Sequence, residues 1–289
     1  MNGAPAGLGL VALLAGGACI GLSPIFALLA APETSLSASV FWRVFLAIPV
    51  LWLWLTWSER GRPATSMPRK AMFLTALFFT GDLAFWHAAL AHTSVANATL
   101  EANFAPVFVT LGGWLLFGQQ VTRAFVIALV VTLAGAALLV APNLQAGGRA
   151  IIGDVFGVIT ACFYAAYMLA VKAASPNVSV PRIALTTSIG CSLFLLPYAW
   201  FTAEHFAPST AVGWGLLIAL ALISHALGQS LIMFGLGRVP ASLGAVTLLV
   251  QPLLAAFFAW LFLAEPMGAI QMAGGAVVLF GIYLARRAS

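Results

Sequence analysis

The feature that most limits what this chain can become is a succession of ten apolar windows, each about 20 residues long and nearly free of charge. They lie at residues 8–30, 36–57, 70–91, 94–117, 122–141, 151–172, 182–201, 212–236, 240–263 and 268–285. At 1.5 Å rise per residue, a window of that length spans the roughly 30 Å hydrocarbon core of a bilayer as one helix. Barrel strands would alternate polar and apolar over about ten residues, and these runs are continuous, so helices are predicted. The expected fold class is an all-α polytopic membrane protein with ten transmembrane helices. Composition agrees: 63% of the 289 residues are hydrophobic and 7% charged, against about 25% charged in a soluble domain.

Several function classes drop out. The net charge of +5 comes from twelve Lys and Arg scattered in ones and twos, which make no basic face, so no nucleic-acid partner is expected. Cys19, Cys162 and Cys191 sit inside apolar runs without paired spacing and read as small core residues. No GxSxG, HExxH, phosphate-loop or CxxC motif is present, so the chain is not read as an enzyme, and neither metal nor cofactor is expected. No Lys or Arg precedes the run from Leu8 to Ala30, which exceeds the 7–15 residues of a signal-peptide core and is read as the first span.

Basic residues set the orientation. With a cytoplasmic N-terminus, the inside receives Arg60, Arg62, Arg69, Lys70, Arg123, Lys172, Arg182, Arg238, Arg286 and Arg287, while the outside receives Arg149 and the second window holds Arg43. Both termini are therefore predicted to face the cytoplasm.

The chain also repeats itself. A shift of 146 residues lays Ser94–Gln120 on Pro240–Pro266 without a gap, bringing Pro106 onto Pro252, Trp114 onto Trp260 and, further on, Gly135 onto Gly281. Two five-helix halves, 1–145 and 146–289, are implied. Because five is odd, the second half enters the membrane from the opposite side, an inverted repeat of the kind that builds carriers with a site between the halves near the midplane.

An ionisable side chain inside a span costs about 2.5–3.5 kcal/mol on insertion scales, so each asks for a reason. Span three holds Asp82, Trp86 and His87, with Asp82 and Trp86 four apart on one face. Span four holds Asn97, Glu101 and Asn103. At helical rise, Glu101 lies about 6 Å and His87 about 10 Å outward of the middle of their spans, so the two are expected to meet in the outer half of a central cavity. Asp82 reads equally as a helix tether. Arg43 reads first as the partner of a buried acid and second as a carboxylate site. In the second half, His225 and Gln229 share a face, and Gln251 precedes Pro252. Pro106 and Pro252 interrupt corresponding spans, the pattern that points to a binding site between inverted halves. Tyr164, Tyr167, Trp42 and Trp86 are candidates to stack on a flat or cationic solute, and Trp52, Trp54 and Trp57 form an interfacial belt.

These residues carry a resemblance. SPIF (Ser23–Phe26), FWR (Phe41–Arg43), GDLAFWH (Gly81–His87), TSVANATLEANFAPVF (Thr93–Phe108) and LLVQPLLAAFFAWLFLAEP together resemble the drug/metabolite transporter superfamily and, within it, the bacterial EamA-type exporters. The resemblance covers nearly the whole chain. It implies an inner-membrane (plasma-membrane) exporter of amino acids, related metabolites or drugs, with spans three, four, eight and nine bordering the cavity. Where such families carry Gly-Glu after the fourth span, this chain has Gly118-Gln119; the second half keeps its acid as Glu265. The substrate-binding set expected is His87, Trp86, Asn97, Glu101, Asn103, Tyr167, His225, Gln229 and Gln251, with Asp82, Glu101 and His87 as candidates for proton coupling. The expected partners are a small solute, the lipid bilayer and possible protons. The rival reading is an efflux pump for cationic or aromatic drugs.

Overall fold

The computed structural model describes residues 6–61, 66–90, 92, 101–141, 150–264 and 267–288, and every regular element among them is a helix. In chain order these are α1 (Ala6–Gly21), α2 (Ser23–Ala30), α3 (Leu36–Phe45), α4 (Ile48–Ser58), α5 (Arg69–Leu90), α6 (Ala105–Phe117), α7 (Arg123–Val140), α8 (Ala150–Ala174), α9 (Val180–Thr202) and α10 (Ala211–Ala219). A π-helix (Leu220–Gln229) follows, then α11 (Ser230–Leu236), α12 (Ala241–Thr247), α13 (Val250–Leu263) and α14 (Ala269–Ala288).

Eight of the predicted windows appear as helical stretches of 20 to 26 residues, long and apolar enough to cross a membrane. The fourth and fifth appear as the shorter α6 and α7, of 13 and 18 residues. Residues 93–100, which hold the start of the fourth window and Asn97, lie outside the described residues, as do Glu265 and the boundary near residue 145. The outer surface is apolar, with Phe201 84%, Val212 71% and Leu193 67% exposed, as contact with lipid tails requires. Trp52 and Trp57 lie on that surface. Cys162 is exposed there too, whereas Cys191 is buried, so the expectation of three core cysteines fails for Cys162.

Prolines break several crossings. α2, α4, α6 and α13 carry Pro24, Pro49, Pro106 and Pro252 in their first turns. Lacking an N–H and clashing with the carbonyl four residues back, proline ends the preceding helix and starts a new one. The eighth crossing changes pitch instead, through ten residues of π-helix, a form that tends to mark functional positions.

The packing has a two-fold plan. α7 and α14 lie together along their lengths. A Cβ on Gly135 would stand 2.6 Å from the Val278 nitrogen, one on Gly281 2.8 Å from the Thr132 backbone, and one on Gly274 2.7 Å from the Leu139 nitrogen. Numbers rise on one helix as they fall on the other, so the pair is antiparallel. The 146-residue shift exchanges Thr132 with Val278 and Gly135 with Gly281, so this contact maps onto itself. Likewise α1 packs on α11 and α13, and α8 packs on α5 and α6. Antiparallel counterparts are what an inverted repeat produces.

Candidate functional site

Arg43 of α3 is the point on which the buried polar groups converge. Its Nη1 donates to Ser23 Oγ at 3.0 Å, and its Nε is buried without a hydrogen-bond partner. Asp82 on α5, Tyr164 and Tyr167 on α8 and Cys191 on α9 lie within electrostatic reach of the guanidinium, and His87 and His225 feel the same charge. Arg43, Asp82, His87 and Tyr164 are enclosed by protein, yet each keeps accessible surface. Elements from both halves bring these groups together.

Hydrogen bonding assigns several roles. His87 Nδ1 lies 2.7 Å from the Leu83 carbonyl, which can only accept, so Nδ1 carries the proton and fixes the ring one turn along α5. Trp86 stands edge-on to that ring at 5.1 Å. Ser188 Oγ donates to the Ala184 carbonyl at 2.8 Å and lies 2.8 Å from His225 Nε2. With its one proton committed, Ser188 must accept from His225 Nε2–H, which leaves His225 Nδ1 as a bare acceptor. That atom is buried and unpartnered, as are Gln229 Oε1, Tyr167 Oη, Thr80 Oγ1 and Gln251 Nε2. Phe79 bridges two of these residues, stacking on Tyr167 at 4.7 Å and on His225 at 5.6 Å. Tyr164 approaches the Gln251 side chain, and Thr80 approaches Cys191.

The structure divides the expected site. Asp82, His87, Tyr167, His225 and Gln251 gather around Arg43, with Trp86 beside His87. Glu101 has a different partner: its carboxyl hydrogen-bonds Asp154 of α8. A Cβ on Gly157, three residues along, would run into the Glu101 side chain, so the glycine makes its bed. Asn103 sits in the turn before α6 with a buried, unpartnered Nδ2. Pro106 and Pro252 lie just past the breaks, and the Pro106 carbonyl accepts from Thr110 Oγ1 at 2.7 Å. Asp154, Ser188 and Thr80 are not among the residues the sequence points to, Cys191 reads there as a small core residue, and Arg43 reads there first as the partner of a buried acid. The Gln119 amide keeps the acceptor oxygen of the glutamate it replaces and takes a 3.5 Å contact from Ser242 Oγ. A separate apolar groove of about 560 Å³ between α1, α4 and the π-helix is lined by Val11, Trp54 and Leu227 and does not touch the cluster.

Both ends of the bundle are bridged. At one end, the Glu33 carboxylate accepts from Thr210 N at 3.0 Å and from Thr210 Oγ1 at 2.6 Å, the backbones of Ser35 and His205 join, and Trp42 Nε1 donates to the Phe206 carbonyl at 2.6 Å. These donors hold the Glu33 carboxyl below its usual range. At the other end, Arg182 pairs with Glu59, and Ser179 Oγ donates to Glu59 Oε1 at 2.6 Å. The 146-residue shift lays Glu33 on Ser179 and Glu59 on His205, so the two bridges correspond under exchange of the halves.

Comparison with known proteins identifies the scaffold. The pseudopaline exporter CntI of Pseudomonas aeruginosa is 28% identical over 209 residues, 72% of this chain and 69% of that one. The uncharacterized transporter YetK of Bacillus subtilis is 26% identical over 286 residues, covering 95% and 85%. A probable terminal-alkyne amino-acid exporter of Streptantibioticus cattleyicolor is 24% identical, covering 68% and 65%. One solved crystal structure superposes over 99% of both chains with a TM-score of 0.80 at 16% identity, which shows a shared fold. The profile of the EamA-like transporter family matches twice, over residues 7–141 and again over 151–287. With its long apolar helices, this chain is a multi-pass membrane protein of the EamA-like transporter family, in the drug/metabolite transporter superfamily.

Proposed function

We propose that this protein is an inner-membrane exporter of amino acids or similar small metabolites, working by alternating access between two inverted five-helix halves, 1–145 and 146–289. In this reading it has ten spans with both termini in the cytoplasm, and it uses Trp86, His87, Asn97, Asn103, Tyr167, His225, Gln229 and Gln251 to hold the solute. The observation that carries it is the cluster of polar groups around Arg43, to which α3, α5, α8 and α9 contribute together with the π-helix. Such a cluster deep in an apolar bundle is expensive to keep without a use for it. The corresponding bridges at Glu33 and Glu59 supply the two gates such a cycle needs, one for each face. The name of one relative, a probable terminal-alkyne amino-acid exporter, favours the same solute class.

Glu101 and Asp154 favour a proton-linked form of the cycle, since two carboxyls in hydrogen-bond contact hold a proton between them most stably. Asp82 and His87 are further proton candidates. The same acid pair keeps efflux of cationic drugs as the second reading. The test is counterflow into liposomes of purified protein preloaded in turn with amino acids, nucleosides and a cationic dye. Saturable amino-acid exchange supports the proposal, and uptake of the dye alone transfers it to drug efflux. If Glu101→Gln leaves the response to an imposed pH gradient intact, Glu101 is not the coupling group.

A further inference from the structure

Arg43 presents an incompletely hydrogen-bonded guanidinium inside the protein. A guanidinium offers five N–H donors in a planar fork shaped for a carboxylate. Here one contact is to the neutral Ser23 hydroxyl, at 3.0 Å, and the buried Nε has no partner. Among the described residues, the one direct ion pair is Arg182 with Glu59, at the far end of the bundle, so no described carboxylate fills the fork. Asp82 stands near enough for its charge to act on Arg43 but not in direct contact. An arginine kept among apolar helices is costly, and a carboxylate in its fork lowers that cost.

The surroundings select which anion. With Asp82 ionised, it and Arg43 carry opposite charges and leave the cluster neutral. A bare carboxylate or a bare amine would add net charge to a low-dielectric space, whereas a solute with both charges adds none. The remaining groups suit both of its ends: Gln251 Nε2 is an unpartnered donor, and His225 Nδ1 an unpartnered acceptor.

We propose that Arg43 is the carboxylate anchor of the transport site and that, with Asp82, it selects small zwitterions bearing an amino and a carboxylate group. This rests on the amino-acid export reading and adds the residue and charge rule by which the solute is recognised.

The test is competition for exchange in liposomes, using leucine, its amide and its N-acetyl derivative as probes. Hydrogen bonds between charged groups of this kind are worth about 10-fold or more in affinity. Wild-type protein is expected to prefer leucine at least about 10-fold over both derivatives, and the charge-balanced double variant Arg43→Gln with Asp82→Asn is expected to bring all three within about 3-fold. Since the double variant leaves no lone buried charge, it tests the rule even if Arg43→Gln alone fails to fold. Exchange of leucine without preference over its amide, or a preference that survives in the double variant, overturns the anchor and spares the export reading. Absence of any amino-acid exchange by wild type overturns both.

Discussion

Ala264 is a residue in the wrong place for its side chain. It ends α13 with φ 55, the one positive-φ residue other than glycine among those described, and the 146-residue shift lays it on Gly118, which ends α6 with φ 62. Gly118 N donates to the Trp114 carbonyl and Gln119 N to the Gly113 carbonyl, the paired bonds of a left-handed helix cap. An L-residue with a Cβ in that conformation costs about 1–2 kcal/mol. Against this, alanine narrows the unfolded ensemble and is favoured by about 0.4–1 kcal/mol there. The difference leaves Ala264→Gly stabilising by about 0.5–1 kcal/mol and Gly118→Ala destabilising by a similar amount. Nothing lies within 4 Å of a Cβ built on Gly118, so the effect is purely conformational and no clash confuses the sign. Thermal unfolding in detergent, followed by loss of the monodisperse peak, is expected to rise by about 1–4 °C for Ala264→Gly and to fall as much for Gly118→Ala. A fall for Ala264→Gly, or no change in either, refutes the reasoning.

The same assay separates two other glycines: Gly135→Ala drives a Cβ into backbone at 2.6 Å, whereas Gly215 has open space within 4 Å. The first is expected to destabilise by about 1–3 kcal/mol through overpacking and the second to stabilise by up to about 1 kcal/mol through helix propensity. Ser188→Ala removes the acceptor of His225 Nε2–H and is expected to cost about 1–3 kcal/mol, recovered by Ser188→Thr. Glu59→Gln breaks the pair with Arg182, whose side chains are 15% and 22% exposed; a loss of about 1–2 kcal/mol, restored by exchanging the two charges, lies between surface and buried pairs. Glu33 has its carboxyl held low by Thr210, so its bridge is fully present above the ordinary glutamate value near 4.3 and is lost as pH falls through the lower folded value. Thiol labelling of a His205→Cys variant is expected to increase only below about pH 4, with the pH dependence abolished by Glu33→Gln.

Much of the scaffold was legible because lipid imposes a simple rule: apolar runs of span length, basic residues between them and a shift that repeats. The breaks at Pro24 and Pro49 were legible in principle by the rule applied to Pro106 and Pro252, but the 146-residue shift lays them on Ala170 and Leu195 rather than on prolines. The site was harder to read. A depth estimate along two helices placed Glu101 toward His87, but it could not show that Asp154 of α8 lies against the glutamate. Asp154, close to a loop, reads in sequence as a solvated end residue. Arg43 reads there as an isolated charge, because spacing along one helix does not reveal which other helices converge on it. Ser188 looks ordinary until its single proton is accounted for.

Symmetry then limits what the charges can do. The 146-residue shift carries Phe79 onto His225, and these two stack on each other at 5.6 Å, so a position meets its own counterpart there, as at the α7–α14 contact. These contacts of the scaffold are thus symmetric under exchange of its halves. Its charges are not: the same shift lays Arg43 on Ile189, Asp82 on Gly228, His87 on Met233 and Glu101 on Thr247. In an alternating-access cycle, one access state is the other with the halves exchanged, and the helices can satisfy both. Arg43 and Asp82, however, stay in the first half and so meet a different setting in each state. The affinities at the two faces must then differ, and that difference decides which face saturates first. It does not supply a direction. In the proposed export cycle, net movement has to come from the gradient of the solute or of a coupled proton, which makes the Glu101–Asp154 pair, a contact between a carboxyl of each half, the first place to look for that coupling.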